Sequence, residues 1–364
     1  MHVKRKPNRK RQILLLGCVG MLLISAICFA AWQWLSNLLE SQKMAERWQG
    51  DGEMAFSQIS CFLPSNEEIT LENVSSFRSA AMKAMEEASL DVKGSRQFMI
   101  DAWSTTTRLY TSGQHGRGEV NVIAVGGNYF DFHPLRLLSG NYLRQTDLMD
   151  DRILLSEDVA WLLFGGTDLH GMTMKLDGVP FMIAGVVAQE DDFATKKSAG
   201  DGMDLFMSYD GLLRLREESK LSCYEYVMAE PVRNFALNVA KQHFSIGDGE
   251  IICNTTRYRY GKMMDLALAY GLRGVQRTKA IYPYWENAAR ITENWGSLCC
   301  FFGTLFFACP AVIGAVWLLG ATKRGKEKLE DDILPDLREK SEEAVRKRQR
   351  KRWERQHGVH EKDA

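Results

Sequence analysis

"VIAVGGNYFDFHPLRLLSGNYL", Val122 to Leu143, is the stretch on which the fold turns. An apolar, strand-like run ends on a glycine pair, and Gly140 follows soon after. A phosphate-binding loop needs spaced glycines followed by Lys and Ser/Thr, because backbone N–H groups and the lysine together surround the phosphates. Here Gly126-Gly127 runs into Asn128-Tyr129-Phe130, with neither that ending nor the second spaced glycine of a dinucleotide site. Gly261-Lys262 elsewhere is followed by Met263. The glycines are therefore expected to supply turns where the backbone needs positive φ. Which side of a membrane this stretch occupies is decided by the ends of the chain.

The chain has 364 residues and a formal net charge of zero, unevenly spread. Residues 1–12 hold six basic groups and no acid, and residues 321–364 hold 14 basic and 11 acidic groups. Residues 13–320 keep 26 basic against 35 acidic groups, so no basic groove for nucleic acid is expected. Ile13 to Leu35 is an uncharged apolar run that reaches roughly 34 Å as a helix, enough to cross a hydrocarbon core. It is longer than a secretory h-region, and Trp32 and Trp34 suit a headgroup-level belt. Trp295 to Gly320 is a second run, interrupted by Pro310 and followed by Lys323, Arg324, Lys326 and Lys328. Basic residues flank both runs on their outer sequence ends, which predicts two spans with both termini in the cytoplasm. The expected organisation is a basic N-terminus (1–12), a first transmembrane helix (13–35), an extracytoplasmic domain (36–294, core about 55–290), a second transmembrane helix (295–320) and a charged cytoplasmic tail (321–364). Ala26/Ala30 and Ala311/Ala315 offer small-residue spacing for helix contact, although alanine is common in such spans.

Between the runs the pattern is α+β. Residues 37–55 extend the first span as a helix, and "FSQISCFL" is a strand closed by Pro64. Thr70 caps a helix to about Ser89, with Val74, Phe77, Ala81 and Met85 on one face. "RILLS" is a strand, and Ser156 caps the helix "EDVAWLLFG". Asp177-Gly178 closes a hairpin between Met174/Leu176 and Phe181/Ile183. Residues 189–203 form a polar, mobile loop in which Glu190, Asp191 and Asp192 are solvated. A strand at "CYEYVMAE", helices at "RNFALNVAKQHF" and "YGKMMDLALAYGLRG", and a strand at "EIIC" complete the domain.

The run from Val125 to Val187 resembles the MacB-like periplasmic core domain of FtsX-like and MacB-like ABC transporter permeases. The resemblance is carried by Tyr129-Phe130 after a strand, the segment Leu137 to Gly140 leading to Asp147, and the helix Leu155 to Gly165. Asp168 and Gly171, the turn at Gly178, and the strand Ala184 to Val187 follow in order. The resemblance implies an α+β extracytoplasmic domain between membrane helices, moved through those helices by a cytoplasmic ABC ATPase. Family members carry four spans, so the chain is expected to be a truncated, two-span form lacking the last two permease helices. Its implied partners are that ATPase and a fuller FtsX-like permease, or a second copy of the chain.

Other chemistry has little support. His115, His133, His170 and His243, with His357 and His360 in the tail, lack metal-ligand spacing. No G-x-S-x-G elbow is present. Cys61, Cys223 and Cys253 lie outside the spans and allow at most one bridge. Lys279 to Trp295 reads as a stalk in which Glu286 and Arg290 pair at i, i+4, with Glu293 a turn beyond. The tail after Pro335 favours a helix with Glu342/Arg346 and Glu343/Lys347 pairs, its basic half suited to an anionic leaflet or to a partner's acidic surface. No catalytic, cofactor-binding or metal residue is assigned. The expected function is a non-catalytic membrane subunit or auxiliary of a MacB/FtsX-type ABC transport or mechanotransmission complex. The alternative is a membrane-anchored extracellular binding or sensor module.

Overall fold

The computed structural model describes residues 9–64, 69–88, 90, 98–113, 115–144, 150–198, 204–269, 280 and 282–356. Asp147, Ser89, the 199–203 end of the polar loop, Gly271 and the tail histidines lie outside the described residues. The chain divides into two units, residues 28–301 and residues 1–27 with 302–364.

The larger unit is built on one ten-stranded sheet. Its strands are β1 (Phe56–Phe62), β2 (Met99–Ser112), β3 (Arg117–Gly127), β4 (Leu137–Gly140), β5 (Arg152–Ser156), β6 (Thr173–Leu176), β7 (Val179–Val187), β8 (Asp204–Ser208), β9 (Cys223–Ala229) and β10 (Glu250–Cys253). The order across the sheet is β10-β1-β9-β2-β3-β8-β5-β7-β4, with β6 paired to β2 and β7. Pairing is antiparallel except for β3 with β8 and β5 with β7. The helices are α1 (Arg9–Ser36), α2 (Met44–Gln49), α3 (Leu71–Glu87), the single turn α4 (Tyr129–Phe132), α5 (Glu157–Phe164), α6 (Phe193–Ser198), α7 (Tyr209–Leu215), α8 (Phe235–His243), α9 (Tyr260–Leu268), α10 (Tyr284–Lys328) and α11 (Leu334–Gln356).

Both faces of the sheet are covered, so its strands read as apolar runs with little polar alternation. One face carries Ile59, Cys61, Val122, Ala124, Ile153, Leu155, Tyr224 and Tyr226 against α3, α5 and α8. Val74, Phe77, Ala81 and Met85 are the buried residues of α3, as their helical spacing requires. The opposite face carries Phe62, Ile100, Ile123, Val125, Leu154 and Phe206 against α2, α4 and Trp285 of α10. Each strand sends successive side chains to opposite cores, the period of two that pleating imposes. Arg78 of α3 forks onto Asp101 of β2 at 2.6 and 2.8 Å, and Tyr224 donates to the same carboxylate at 2.7 Å.

Several local expectations are corrected. Residues 37–55 do not continue α1 as one helix; the chain breaks after Ser36 into a 3₁₀ turn (Glu40–Gln42) and α2. Ser156 stands at the N-cap of α5, but its hydroxyl makes no capping bond and is buried. The polar loop is in part a short helix. Asp192 accepts from the Ala194 and Thr195 N–H groups at 2.9 Å each, and Ala194 packs with Leu39, Ala288 and Ala289. Glu190 is partly buried and accepts from Tyr284 Oη at 2.8 Å, so it is not a solvated acid. The turn at Asp177-Gly178 has φ of 46° and 85°, the type I′ geometry that a two-residue hairpin favours.

In the smaller unit, Ser25 Oγ donates to the Gly303 carbonyl at 2.8 Å. Ala26, Ala311 and Ala315 remain exposed and do not form the helix contact. Within the larger unit Ala30 is exposed as well, and α1 meets α10 where Trp32 faces Gly296. Among the described residues, two helices are long and apolar enough to cross a membrane, Gln12–Ser36 and Tyr284–Glu327. A π-helical turn (Leu329–Ile333) separates α10 from α11, which is exposed over the side chains described. Glu342 and Arg346 pair there at 3.8 Å.

Candidate functional site

The opening glycine pair has two separate causes. Gly127 has φ of 65° and ends β3 in a turn that other residues resist. Gly126 lies under Trp103 of the neighbouring strand, where a Cβ would come within 2.3 Å of the indole Nε1. The pair borders a pocket that Arg144, Asp150, Arg152 and Asp210 also line. Burial, and then Asp150, push the Asp210 carboxyl up. The pocket's two acids are offset by two arginines, and the Trp103 indole covers Gly126, so the loop has neither the cationic excess nor the open backbone of a phosphate cradle.

The turn that follows leads to the candidate site. α4 ends at His133, whose ring lies between Tyr129 and Trp285, at centroid distances of 4.6 and 4.4 Å. His133 Nε2 is 2.6 Å from Glu225 Oε2, and both residues are 3% exposed. Glu225 faces this core from the middle of β9 because Cys223 and Val227, two residues either side, point the same way. Its other oxygen accepts from Ser60 Oγ of β1 at 2.7 Å, and Ser60 Oγ accepts in turn from Asn254 Nδ2 at 2.7 Å. Asn254 opens a 3₁₀ turn that ends beside Arg257. A line of hydrogen bonds thus crosses the lower core from α4 through β9 and β1.

Arg257 is 2% exposed and carries the line into α10. Its guanidinium forks onto Glu286, with both N–H···O distances 2.7 Å. Glu293, two turns on, approaches Nη2 at 3.2 Å and Nε at 3.0 Å. Gln42, in the turn after α1, accepts from Nη1 at 3.2 Å. Burial alone would lower the Arg257 pKa; Glu286 and Glu293 overcome it and hold the guanidinium well above its ordinary value. Arg290 Nε donates to Glu286 at 2.8 Å, as the i, i+4 spacing predicts. Arg290 also reaches Glu250 of β10 at 2.6 Å and lies 3.9 Å over the Tyr282 ring. Gln58 of β1 completes the junction, donating to the Ser41 carbonyl at 2.7 Å and accepting from Met44 N–H at 2.9 Å.

This arrangement is suited to holding elements together. His133 is packed between two aromatic rings, and it and Glu225 are both buried. Among the described residues, no group of three or more His, Cys, Asp and Glu is placed to hold a metal. All eight cysteines are free thiols, so no bridge forms among Cys61, Cys223 and Cys253; burial and then Glu225 push the Cys61 thiol up. The buried charges instead tie α10 to β1, β9, β10 and the segment leaving α1. Breaking a buried ion pair by removing one partner costs about 3–5 kcal/mol, so such a junction resists slippage.

Of the stalk residues singled out in the sequence, Glu286, Arg290, Glu293 and Trp285 all enter the junction. Trp295 remains 51% exposed and Tyr284 turns to Glu190. His115, His170 and His243 are not brought together with His133. Sequence reasoning missed Arg257, Glu225, Gln42 and Gln58. Glu225 did leave a signal, as a lone charge inside the apolar run "CYEYVMA". "NTTRYRY" around Arg257 left none.

The family described as MacB-like periplasmic core domain matches residues 47–241. Among solved structures, the periplasmic region of MacB from Actinobacillus actinomycetemcomitans is 16% identical, covering 59% of this chain and 95% of that one, with a TM-score of 0.40. The extracellular domain of the noncanonic ABC-type transporter YknZ from Gram-positive bacteria is 16% identical, covering 54% and 99% respectively, with a TM-score of 0.36. Indoleacetate decarboxylase of Tractidigestivibacter scatoligenes is 24% identical over 144 residues. That alignment takes in 35% of this chain and spans only 16% of the decarboxylase's length.

Proposed function

Since this chain belongs to the MacB-like periplasmic core domain family, we propose that it is a non-catalytic membrane subunit of a MacB/FtsX-type ABC transport or mechanotransmission complex. Residues 13–35 and 295–320 cross the membrane, the tails are cytoplasmic, and residues 36–294 stand outside. Energy comes from a cytoplasmic ABC ATPase. The two membrane helices associate with a fuller FtsX-like permease or with a second copy of the chain.

The observation that carries this reading is the anchoring of α10. Its first turns are locked by Glu286 and Glu293 to the buried Arg257, and the same helix runs on to Lys328 through the apolar segment. A helix held by desolvated charge pairs passes displacement into the strands it is tied to, because sliding would strand unpaired charges. In this mechanism no substrate crosses the bilayer through the chain; work is done on the outside by moving the domain. An ordinary membrane anchor has no need of a buried guanidinium shared by two carboxylates of one helix.

The test is co-purification of the full chain from mild detergent. A stoichiometric ABC ATPase is the expected companion, and the Arg257→Met chain should retain the ATPase while losing ATP-dependent changes in the domain's protease sensitivity. Isolation of the chain without an ATPase, together with tight ligand binding by residues 37–294, would establish the anchored sensor instead.

A further inference from the structure

We infer that α6 and α9 seat the domain on the outer leaflet of the membrane, with Phe193, Tyr260 and Leu268 entering the boundary between headgroups and acyl chains. The inference rests on the spanning reading of α1 and α10 but concerns residues of the folded domain.

The level of that boundary is marked by ring contacts. Trp34, 59% exposed near the end of α1, stacks on Phe193 of α6 at 6.1 Å with planes 17° apart. Trp32 meets Tyr260 of α9 edge-on at 6.2 Å. Trp32 also crosses α10 at Gly296, where a Cβ would stand 3.5 Å from its Cδ1, next to the exposed Trp295. Aromatic side chains from four elements therefore gather where two long apolar helices enter the domain. Tryptophan and tyrosine favour this depth because the ring is apolar and its N–H or O–H reaches water.

α9 supplies the second observation. Tyr260, Met264 and Leu268 follow one another at i, i+4 and i+8, on one face. Leu268 is 73% exposed and Tyr260 46%, whereas Met263 is buried towards the domain. Leu268 lies two turns along the same face from Tyr260, the residue that meets Trp32, and lipid contact accounts for its exposure. The charges discriminate lipid from protein. Lys196 and Lys197 are exposed on the last turn of α6, and Lys262 is exposed on α9. Lysine is depleted in the cores of protein interfaces but suits phosphate headgroups, while its stem lies along apolar surface. α9 supplies the apolar stripe with Lys262 and the exposed Asp265, and α6 supplies Lys196 and Lys197 beside Phe193; together they present apolar side chains edged by a net positive charge, as an interfacial anchor does.

The experiment places the photoreactive p-benzoylphenylalanine at one position of the full chain in phospholipid nanodiscs. Leu268→p-benzoylphenylalanine is compared with Leu23→p-benzoylphenylalanine, in the first apolar helix, and with Glu217→p-benzoylphenylalanine, on an exposed turn. Lipid adducts at 268 in yield comparable with 23, and their loss at 217, support the inference. Adducts to protein at 268, or no lipid adduct there while 23 gives one, overturn it and leave the spanning reading intact. Absence of lipid adducts at both 23 and 268 overturns both.

Discussion

Arg257 is the residue on which the junction depends, because two carboxylates of α10 and the amide of Gln42 all converge on it. Arg257→Met takes the buried guanidinium from Glu293 and leaves Glu286 with Arg290 alone, and should lower the unfolding free energy by about 3–5 kcal/mol in detergent denaturation. The Arg257→Met/Glu286→Leu double variant should lose less than the sum of the two single losses, since the stranded charge is removed with its partner. Strict additivity would show that the pair is not coupled. A second residue gives a pH signature. Burial pushes the Asp204 carboxyl up to about 6 from its ordinary 3.8; a hydrogen bond from Asn121 pulls the other way, and Glu190 adds to the rise. An acid raised by folding supports the folded state below its unfolded pKa, and that support is lost as pH climbs through the folded value. Stability should therefore fall between about pH 4 and pH 6, and Asp204→Asn should flatten the decline in that window. Equal slopes for the two proteins would refute the assignment.

At the scale of elements, the contact of α1 with α10 depends on a missing side chain. Gly296 faces Trp32 Cδ1 at 3.5 Å and Met263 Sδ at 3.7 Å from its would-be Cβ, ordinary packing distances with no room beyond. Gly296→Ala should be tolerated, and Gly296→Leu should cost about 1–3 kcal/mol through overpacking, visible as a lower Tm of the solubilised chain. An unchanged Tm in the leucine variant would mean the helices do not meet there. Elements also show where local sequence is informative. The face of α3, the Asp177-Gly178 hairpin and the core strands β5 and β9 follow from spacing and turn chemistry alone. The break after Ser36 does not, since residues 37–49 keep a helical composition while Ser41 and Gln42 are drawn into the domain. α6 was hidden for a similar reason: a polar composition reads as loop, yet Ala194 and Thr195 are buried, Ala194 against Ala288 and Ala289 of α10.

For the whole molecule, the proposed topology makes one direct forecast. In intact cells, a membrane-impermeant lysine reagent should modify the exposed Lys175 and Lys241 of the domain, while Lys340 in α11 reacts only after the membrane is opened. Modification of Lys340 in sealed cells would reverse the orientation. Charge asymmetry and hydropathy are properties of composition along the chain, so the two apolar runs, the acidic middle and the family of the domain were legible in the residues themselves. So were Glu286 and Arg290, because i, i+4 pairing is set by helix geometry. What tertiary structure alone decided is the meeting of Arg257 with Glu286 and of His133 with Glu225, at sequence separations of 29 and 92. Pairings across such separations depend on strand order and on which face of the sheet each side chain takes. Short-range periodicity specifies the face but carries no information about the partner strand.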